Sequence, residues 1–520
     1  MSPLLSRRRL LGLLGAGAAA GLVVPGCGTL TTERAGARLA SRLPLPDRFA
    51  VPLPIPGTVA PTGGAIELAQ EVASLEIIPG TRTEVWGYNG TFPGPTLELR
   101  SGRPTTVRIT NELPVPTSTH LHGGVTPPEF DGYPTHLVVP EQLGDRFEPG
   151  AGSHAAHDAS AWELTPRAFE HEYPVEQPAA TLWYHDHRMD FTAPQIYRGL
   201  AGMAIVRDDV DDELPLPKGD KDIPLLICDR AFEEDGSFRY PSVDPTLLDE
   251  PGVEGEYHQG VEGDVILVNG APWPELEVEA TRYRFRILNA SNARRYDLRL
   301  DPPPPDGPAV VQVGSDVGLL AAPQELDGVL LSSAERADVL IDFGTYPVGT
   351  EIVLRNRLDS GPAGEVMRFR VTRNGTEDST VPARLADVEM LARDQAVRSR
   401  TFDFRRSGPG EGGSMWKVND TAFDPNETLA TPELGTTELW TFTSDFHHPV
   451  HVHLAHFQVY RRNGKDPGPM DAGWKDTVDI GPADAVDVAV RFTDYPGRYL
   501  LHCHNLEHED MAMMANFDIV

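Results

Sequence analysis

LHCHNLEHEDMAMMANFDIV, residues 501–520, sets a cysteine between two histidines and follows them with further donors. Cys503, His508 and Met513 place a thiolate, an imidazole and a thioether at five-residue intervals, the donor types that copper takes in electron-transfer sites. Read as a β-strand, the run turns successive side chains to opposite faces, so His502 and His504 point away from whatever Cys503 binds. One short strand can therefore touch two metal centres.

Three further motifs carry histidine: HLHG with His120 and His122, WYHDH with His185 and His187, and HPVHVH with His448, His451 and His453. Imidazoles two residues apart share a strand face, whereas His448 has the opposite parity from His451 and His453 and can join Cys503. A single histidine is more often a surface or hydrogen-bonded structural residue, and one HxH pair says little. Four such motifs, with Cys and Met at matching spacing, remove that reading, because few residue types bind metal through nitrogen and sulfur. Zinc is the rival on donor type; His, Cys, His and Met without a second Cys favour copper.

Outward from these motifs the chain reads as all-β. Its 520 residues suffice for about three domains of ordinary size, and 49 Gly and 48 Pro punctuate short alternating runs such as VILVNG, YRFRIL and EIVLRN. Residues 86–113, 266–291 and 416–444 share one plan: a strand ending at Asn89, Asn269 or Asn419, a turn, and two more strands. The asparagines lie 180 and 150 residues apart, a spacing too long for a solenoid and suited to three copies of a β-sandwich. The expected domains are residues 65–210, 215–375 and 395–520, with the acidic stretch 208–222 at the first junction and the second within 373–391. Residues 27–64, rich in Pro, Ala and Arg, read as a linker or an arm over the surface. His258 is the only histidine between residues 188 and 446, so the middle domain is expected to be metal-free and the histidine site to lie between the first and third.

A formal charge of −32 repels phosphate backbones and argues against nucleic acid, while favouring cationic substrates or simply solubility. The N-terminus, residues 1–26, has a signal-peptide pattern: Arg7, Arg8 and Arg9 precede an apolar run at 10–24 that is too short to span a membrane. Ser6 to Leu11 resembles a twin-arginine export signal, with an ordinary secretory signal as the alternative; either implies export, and the first implies the twin-arginine machinery as a partner. Cys27 sits where a lipoprotein would be processed and lipid-anchored, or is discarded with the signal. Cys228, within DIPLLICDR, reads as a core residue, and three cysteines exclude a disulfide framework.

The four histidine motifs resemble those of the three-domain multicopper oxidases. HLHGGVTPPEFDGYP, LWYHDH, LVNG and HCHNLEHEDMAMM are most similar to the bacterial spore-coat laccase and bilirubin oxidase group. The resemblance implies three consecutive cupredoxin-like Greek-key β-sandwich domains and four copper ions. By position, His448, Cys503, His508 and Met513 would hold type 1 copper, and His120 and His451 type 2. Of the type 3 pair, one would take His122, His185 and His504, the other His187, His453 and His502. Cys503 would pass electrons through His502 and His504, and Asp131 and Glu509 match acidic positions the family uses for proton transfer. The simpler readings are a turn residue beside Gly132 for Asp131 and a solvated neighbour of Asp510 for Glu509.

The implied activity is laccase-like: one-electron oxidation of phenols, aromatic amines or bilirubin-like donors, coupled to reduction of dioxygen to water. Oxidation of cuprous or manganous ions is an alternative that the acidic surface favours and the absence of a methionine-rich insert disfavours. A non-catalytic copper-binding or structural member is a third, against which all ten motif histidines are present. His136, His154, His157 and His171 read as surface residues. His447 and His456 read as bystanders, and Met189, Met511 and Met514 as packing.

Overall fold

The computed structural model describes residues 34–150, 153, 159–406 and 416–520. The signal-like segment, Cys27, His154 and His157 lie outside the described residues. Short strands dominate, and the three α-helices among the described residues, Thr192–Arg198, Asp209–Glu213 and Leu506–Asp510, span at most two turns.

Six larger sheets come in three pairs, each drawn from one stretch of chain, with two two-stranded sheets beside them. A four-stranded and a five-stranded sheet use residues 58–207, an eight-stranded and a five-stranded sheet use 222–374, and a five-stranded and a four-stranded sheet use 398–519. Strand order is not sequence order: Ala65–Leu75 pairs in parallel with Thr105–Asn111, and Arg398–Arg406 with Thr436–Ser444. Such parallel neighbours within otherwise antiparallel sheets need connections that cross between the two sheets, which makes each pair a sandwich.

Alternation explains the cores. Along Thr436–Ser444 buried and part-exposed residues alternate, so Trp440 and Phe442 face inward. They meet Val488, Val490, Tyr499 and Phe517 from neighbouring strands in the core of the third sandwich. Cys228 lies in the core of the middle one, where burial pushes its thiol up to about 11.

The repeated asparagines do the same work three times. Asn89, Asn269 and Asn419 all have positive φ, at 54°, 51° and 53°. Each side-chain Oδ1 accepts a main-chain N–H from a strand alongside: Ala69 at 2.9 Å, Leu226 at 2.8 Å and Asp403 at 2.8 Å. Asparagine tolerates left-handed backbone because its amide can bond locally, so it ends these strands and bolts the turn to the sheet.

Residues 34–64 form an arm that buries some of its apolar side chains and leaves others, such as Ile55, exposed. Ala37–Leu39 runs parallel to Val261–Gly263, Thr58–Val59 joins the five-stranded sheet of the first sandwich, and Ala35, Leu39, Leu43 and Leu53 are buried.

Candidate metal centres

The histidine motifs meet because their strands pair. His120 sits opposite His185 where Thr119–His122 pairs with Ala180–Asp186, and His451 sits opposite His502 where His448–Val452 pairs with Gly497–Cys503. His187, His453 and His504 lie just beyond their strand ends, and Leu454 turns the chain with φ 56°. Gly123 (φ 83°) follows the first motif at close quarters, since a Cβ there would meet Asp476 Oδ2 at 2.6 Å and Arg336 at 2.8 Å.

Parity separates two sites. On one face His448 Nδ1 lies 3.3 Å from Cys503 Sγ and 3.1 Å from His508 Nδ1, and Cys503 Sγ lies 3.5 Å from that same His508 nitrogen. Met513 is fully buried beside this triangle, its N–H bonded to His508 O and its carbonyl to Cys503 N, both at 3.1 Å. Burial pushes the Cys503 thiol up, so only a bound cation would hold it as the thiolate. The Trp416 ring stacks on His508 at 3.8 Å between centroids.

On the other face eight buried histidines converge: His122, His185 and His504 form one group, His187, His453 and His502 a second, and His120 and His451 approach His453. Burial holds His120, His122, His185, His451 and His453 well below the ordinary histidine range, so they are neutral. Their hydrogen bonds then settle the tautomers. Nδ1–H donates outward from His120 to Asp131 O (2.5 Å), from His185 to Asp186 O (2.8 Å) and from His451 to Asp476 O (2.9 Å). It likewise donates from His453 to Asp131 Oδ2 (2.7 Å) and from His502 to Cys503 O (3.2 Å). His122 is reversed, with Nε2 on Asp476 Oδ1 at 3.0 Å and a buried, unpartnered Nδ1.

The consequence is a set of lone pairs aimed at one another. Nε2 of His120 and His451 stand 3.4 Å apart, both unprotonated, and Nε2 of His453 and His502 lie 3.2 Å apart. Neutral nitrogens facing this way in a dry interior are unfavourable unless a cation takes both lone pairs. The donor set fits metal.

Comparison with known proteins agrees. Two family models described as Multicopper oxidase match this chain, one over residues 390–520 and the other over 71–151 and 159–211. A laccase of Bacillus subtilis is 35% identical over 91% of this chain and 98% of its own length. The chain belongs to the multicopper oxidases. A bilirubin oxidase of Albifimbria verrucaria is 34% identical, covering 92% of this chain and 83% of its own. A crystal structure of a laccase from Pediococcus acidilactici superposes with a TM-score of 0.78 at 29% identity, covering 93% of this chain and 95% of that one. The sandwiches are thus cupredoxin-like, and the protein is a laccase-like copper oxidoreductase with dioxygen as acceptor.

In this multicopper oxidase Asp131 is both a turn residue and a partner of the histidines. Gly132 follows it with φ 76°, while its carboxylate holds His453 and burial pushes it up to about 6. Glu509 is buried, with Oε2 3.2 Å from His502 Nδ1 and Oε1 3.8 Å from His187 Nε2, so the solvated reading fails. Burial alone would raise its pKa, but the surrounding imidazoles outweigh that and hold it below the usual range.

Expectation of a surface His171 is also corrected. It is 3% exposed, packed between Phe169 and Tyr173 with Nδ1 3.2 Å from Phe130 O, because the strand Ala168–Tyr173 turns it inward. His136 stays part-exposed beside Glu163, and His456 bonds Gly123 O at 3.1 Å. Met189, Met511 and Met514 pack in apolar clusters.

Asp476 and Arg336 carry no motif and were invisible in the sequence. Asp476 orients His122 through its carboxylate and His451 through its carbonyl, and Arg336 from the middle sandwich pairs with it at 2.7 Å. The middle sandwich lacks these histidines, yet its Arg336 supplies the counter-charge of the Asp476 carboxylate that orients two of them.

Proposed function

We propose that His448, Cys503, His508 and Met513 hold the type 1 copper, and His120 and His451 the type 2 copper. We assign the type 3 pair to His122, His185 and His504 on one side and His187, His453 and His502 on the other, four copper ions in all. The facing Nε2 atoms of these buried histidines carry this reading. Bound copper supplies one-electron exchange at the first site and four-electron reduction of dioxygen at the second. The main chain from Cys503 to His502 and His504 gives the electron a short covalent route. Asp131, raised towards neutral pH and bonded to His453, is placed to hold a proton, and Glu509, a carboxylate between His187 and His502, to accept and pass on the protons that water formation consumes.

The donors proposed are phenols, aromatic amines and bilirubin-like pigments, supported by the relatives' names. Cuprous or manganous ion is a second reading, supported by the charge of −32. Oxygen uptake by copper-loaded protein with each donor class decides between them. Cys503→Ser should abolish turnover with every donor; turnover retained by that variant would disprove the electron route, and no uptake by wild type would leave a copper-binding protein without catalysis.

We further propose export through the twin-arginine signal at Arg7 to Arg9, supported by the charged and apolar pattern of residues 1–26. Replacing the three arginines with lysine should retain the protein in the cytoplasm, and unchanged fractionation would refute that route. Lipid attachment at Cys27 would show as a mass increment on the exported chain.

A further inference from the structure

Asn505 lies one residue beyond the HCH run, and its main-chain N–H is aimed at Cys503 Sγ, 3.4 Å away. Its side chain is fully buried, and Nδ2 donates to two carbonyls brought from far along the chain: Gln259 O at 3.0 Å and Ala35 O at 3.1 Å. The first belongs to a loop of the middle sandwich, the second to the arm.

These three pieces meet without slack. Ala37 N donates to Gly260 O at 2.8 Å, and the arm strand continues alongside Val261–Gly263. Gly260 has φ 122°, and a Cβ on it would meet Ala293 Cβ at 2.5 Å, Ala35 O at 2.8 Å and Asn505 Nδ2 at 2.9 Å. A Cβ on Gly36 would meet Gly260 O at 2.7 Å. The same loop reaches the copper-ligand histidine: His258 O accepts Trp416 Nε1 at 2.9 Å, and that indole stacks on His508. Val261 N in turn donates to Glu507 Oε2 at 3.0 Å. Arm and loop therefore grip the segment 505–508 from outside the third sandwich.

We infer that the arm at residues 35–39, acting with the loop at 258–261 through Asn505, is a positioning device that sets the electron-accepting strength of the type 1 site. This rests on the type 1 reading of His448, Cys503 and His508. A hydrogen bond to the cysteine sulfur withdraws electron density from it and favours the reduced metal, so the aim of the Asn505 N–H is a control on the reduction potential. An amide held at both donors cannot rotate, and its own main chain is held with it. The arm thereby takes part in choosing which donors the site can oxidise.

The test uses the full-length, copper-loaded protein and two variants. Asn505→Leu keeps the main-chain N–H and removes both side-chain donors. Gly36→Val displaces the arm and leaves every residue of the site unchanged. Gly57→Val is the control, because on the same arm a Cβ at Gly57 meets nothing within 4 Å. Copper content, the thiolate-to-copper absorption and the type 1 reduction potential are read for each. Asn505→Leu and Gly36→Val should both bind copper fully, move the absorption and shift the potential downward, while Gly57→Val matches wild type. Should Asn505→Leu fail to fold, Gly36→Val decides alone. Lower melting temperatures with an unshifted potential would make the arm a mere brace and overturn the inference, leaving the type 1 reading intact. Absence of the thiolate-to-copper absorption from wild type would overturn that reading itself, and the inference with it.

Discussion

Asp131 shows how much one carboxylic acid can arrange. Its carbonyl takes His120 Nδ1–H and its carboxylate takes His453 Nδ1–H, so a single residue turns two Nε2 lone pairs into the site. The ten motif histidines were legible because metal-binding side chains seldom gather at strand spacing unless they share an ion. Asp476 performs the same service for His122 and His451, and nothing around it in the chain announces this, because a lone Asp is chemically ordinary until it is buried against an imidazole. His171 shows the converse: the polar stretch around it suggests solvent, while strand pairing turns it into the interior. That burial has a measurable consequence. An unfolded histidine titrates near 6.5, whereas burial, only partly offset by the bond to Phe130 O, lowers His171 to about 4. A depressed histidine contributes stability that is complete above pH 6.5 and lost as pH falls through 4, amounting to about 3 kcal/mol at most. His171→Phe, which keeps the ring packing, should therefore lose less melting temperature between pH 7 and 4.5 than wild type; parallel losses would show that another group titrates.

At the scale of elements, the repeated turn is the clearest link from sequence to fold. Asn269 follows Val265–Val268, accepts from Leu226 N, and donates to Pro54 O at 3.0 Å and Pro224 O at 2.9 Å, so it joins sheet, turn and arm. Left-handed backbone costs an ordinary residue about 1–2 kcal/mol, a penalty that glycine escapes. Asn269→Gly should melt below wild type for its lost hydrogen bonds, and Asn269→Ala about 2–4 °C lower again. Equal melting of the two variants would mean that φ is not what the asparagine supplies. The short helix Leu506–Asp510 makes the opposite point. Its Glu507 is held by Tyr240, Asn292 and Val261 and its Asp510 by the N–H groups of Thr192 and Ala193. Five residues are too few to be stable as an isolated helix, so these distant partners hold it.

Across the whole molecule, one guanidinium ties the three sandwiches together. Arg336 from the middle donates to Thr181 O of the first at 2.9 Å and to Asp476 of the third at 2.7 Å, and Asp476 returns to His122 of the first. All of these groups are buried, and removing one partner of a buried ion pair costs about 3–5 kcal/mol. Arg336→Met should lower the melting temperature of the copper-free protein and, by releasing His122, reduce the copper bound per chain. An unchanged copper-free melt would remove Arg336 from this role.

Strand alternation, the asparagine turns and the donor residues follow from the order of amino acids alone, because side-chain parity and ligand chemistry are local properties. The separation of Cys503 from His502 and His504 onto two faces is among them. Which histidines come together, how their rings are oriented, and how Arg336, Asp476, Asn505 and the arm bear on them were decided by tertiary structure. Those interactions join residues hundreds of positions apart, and a charge or an amide acquires its role only when burial removes water as its alternative partner.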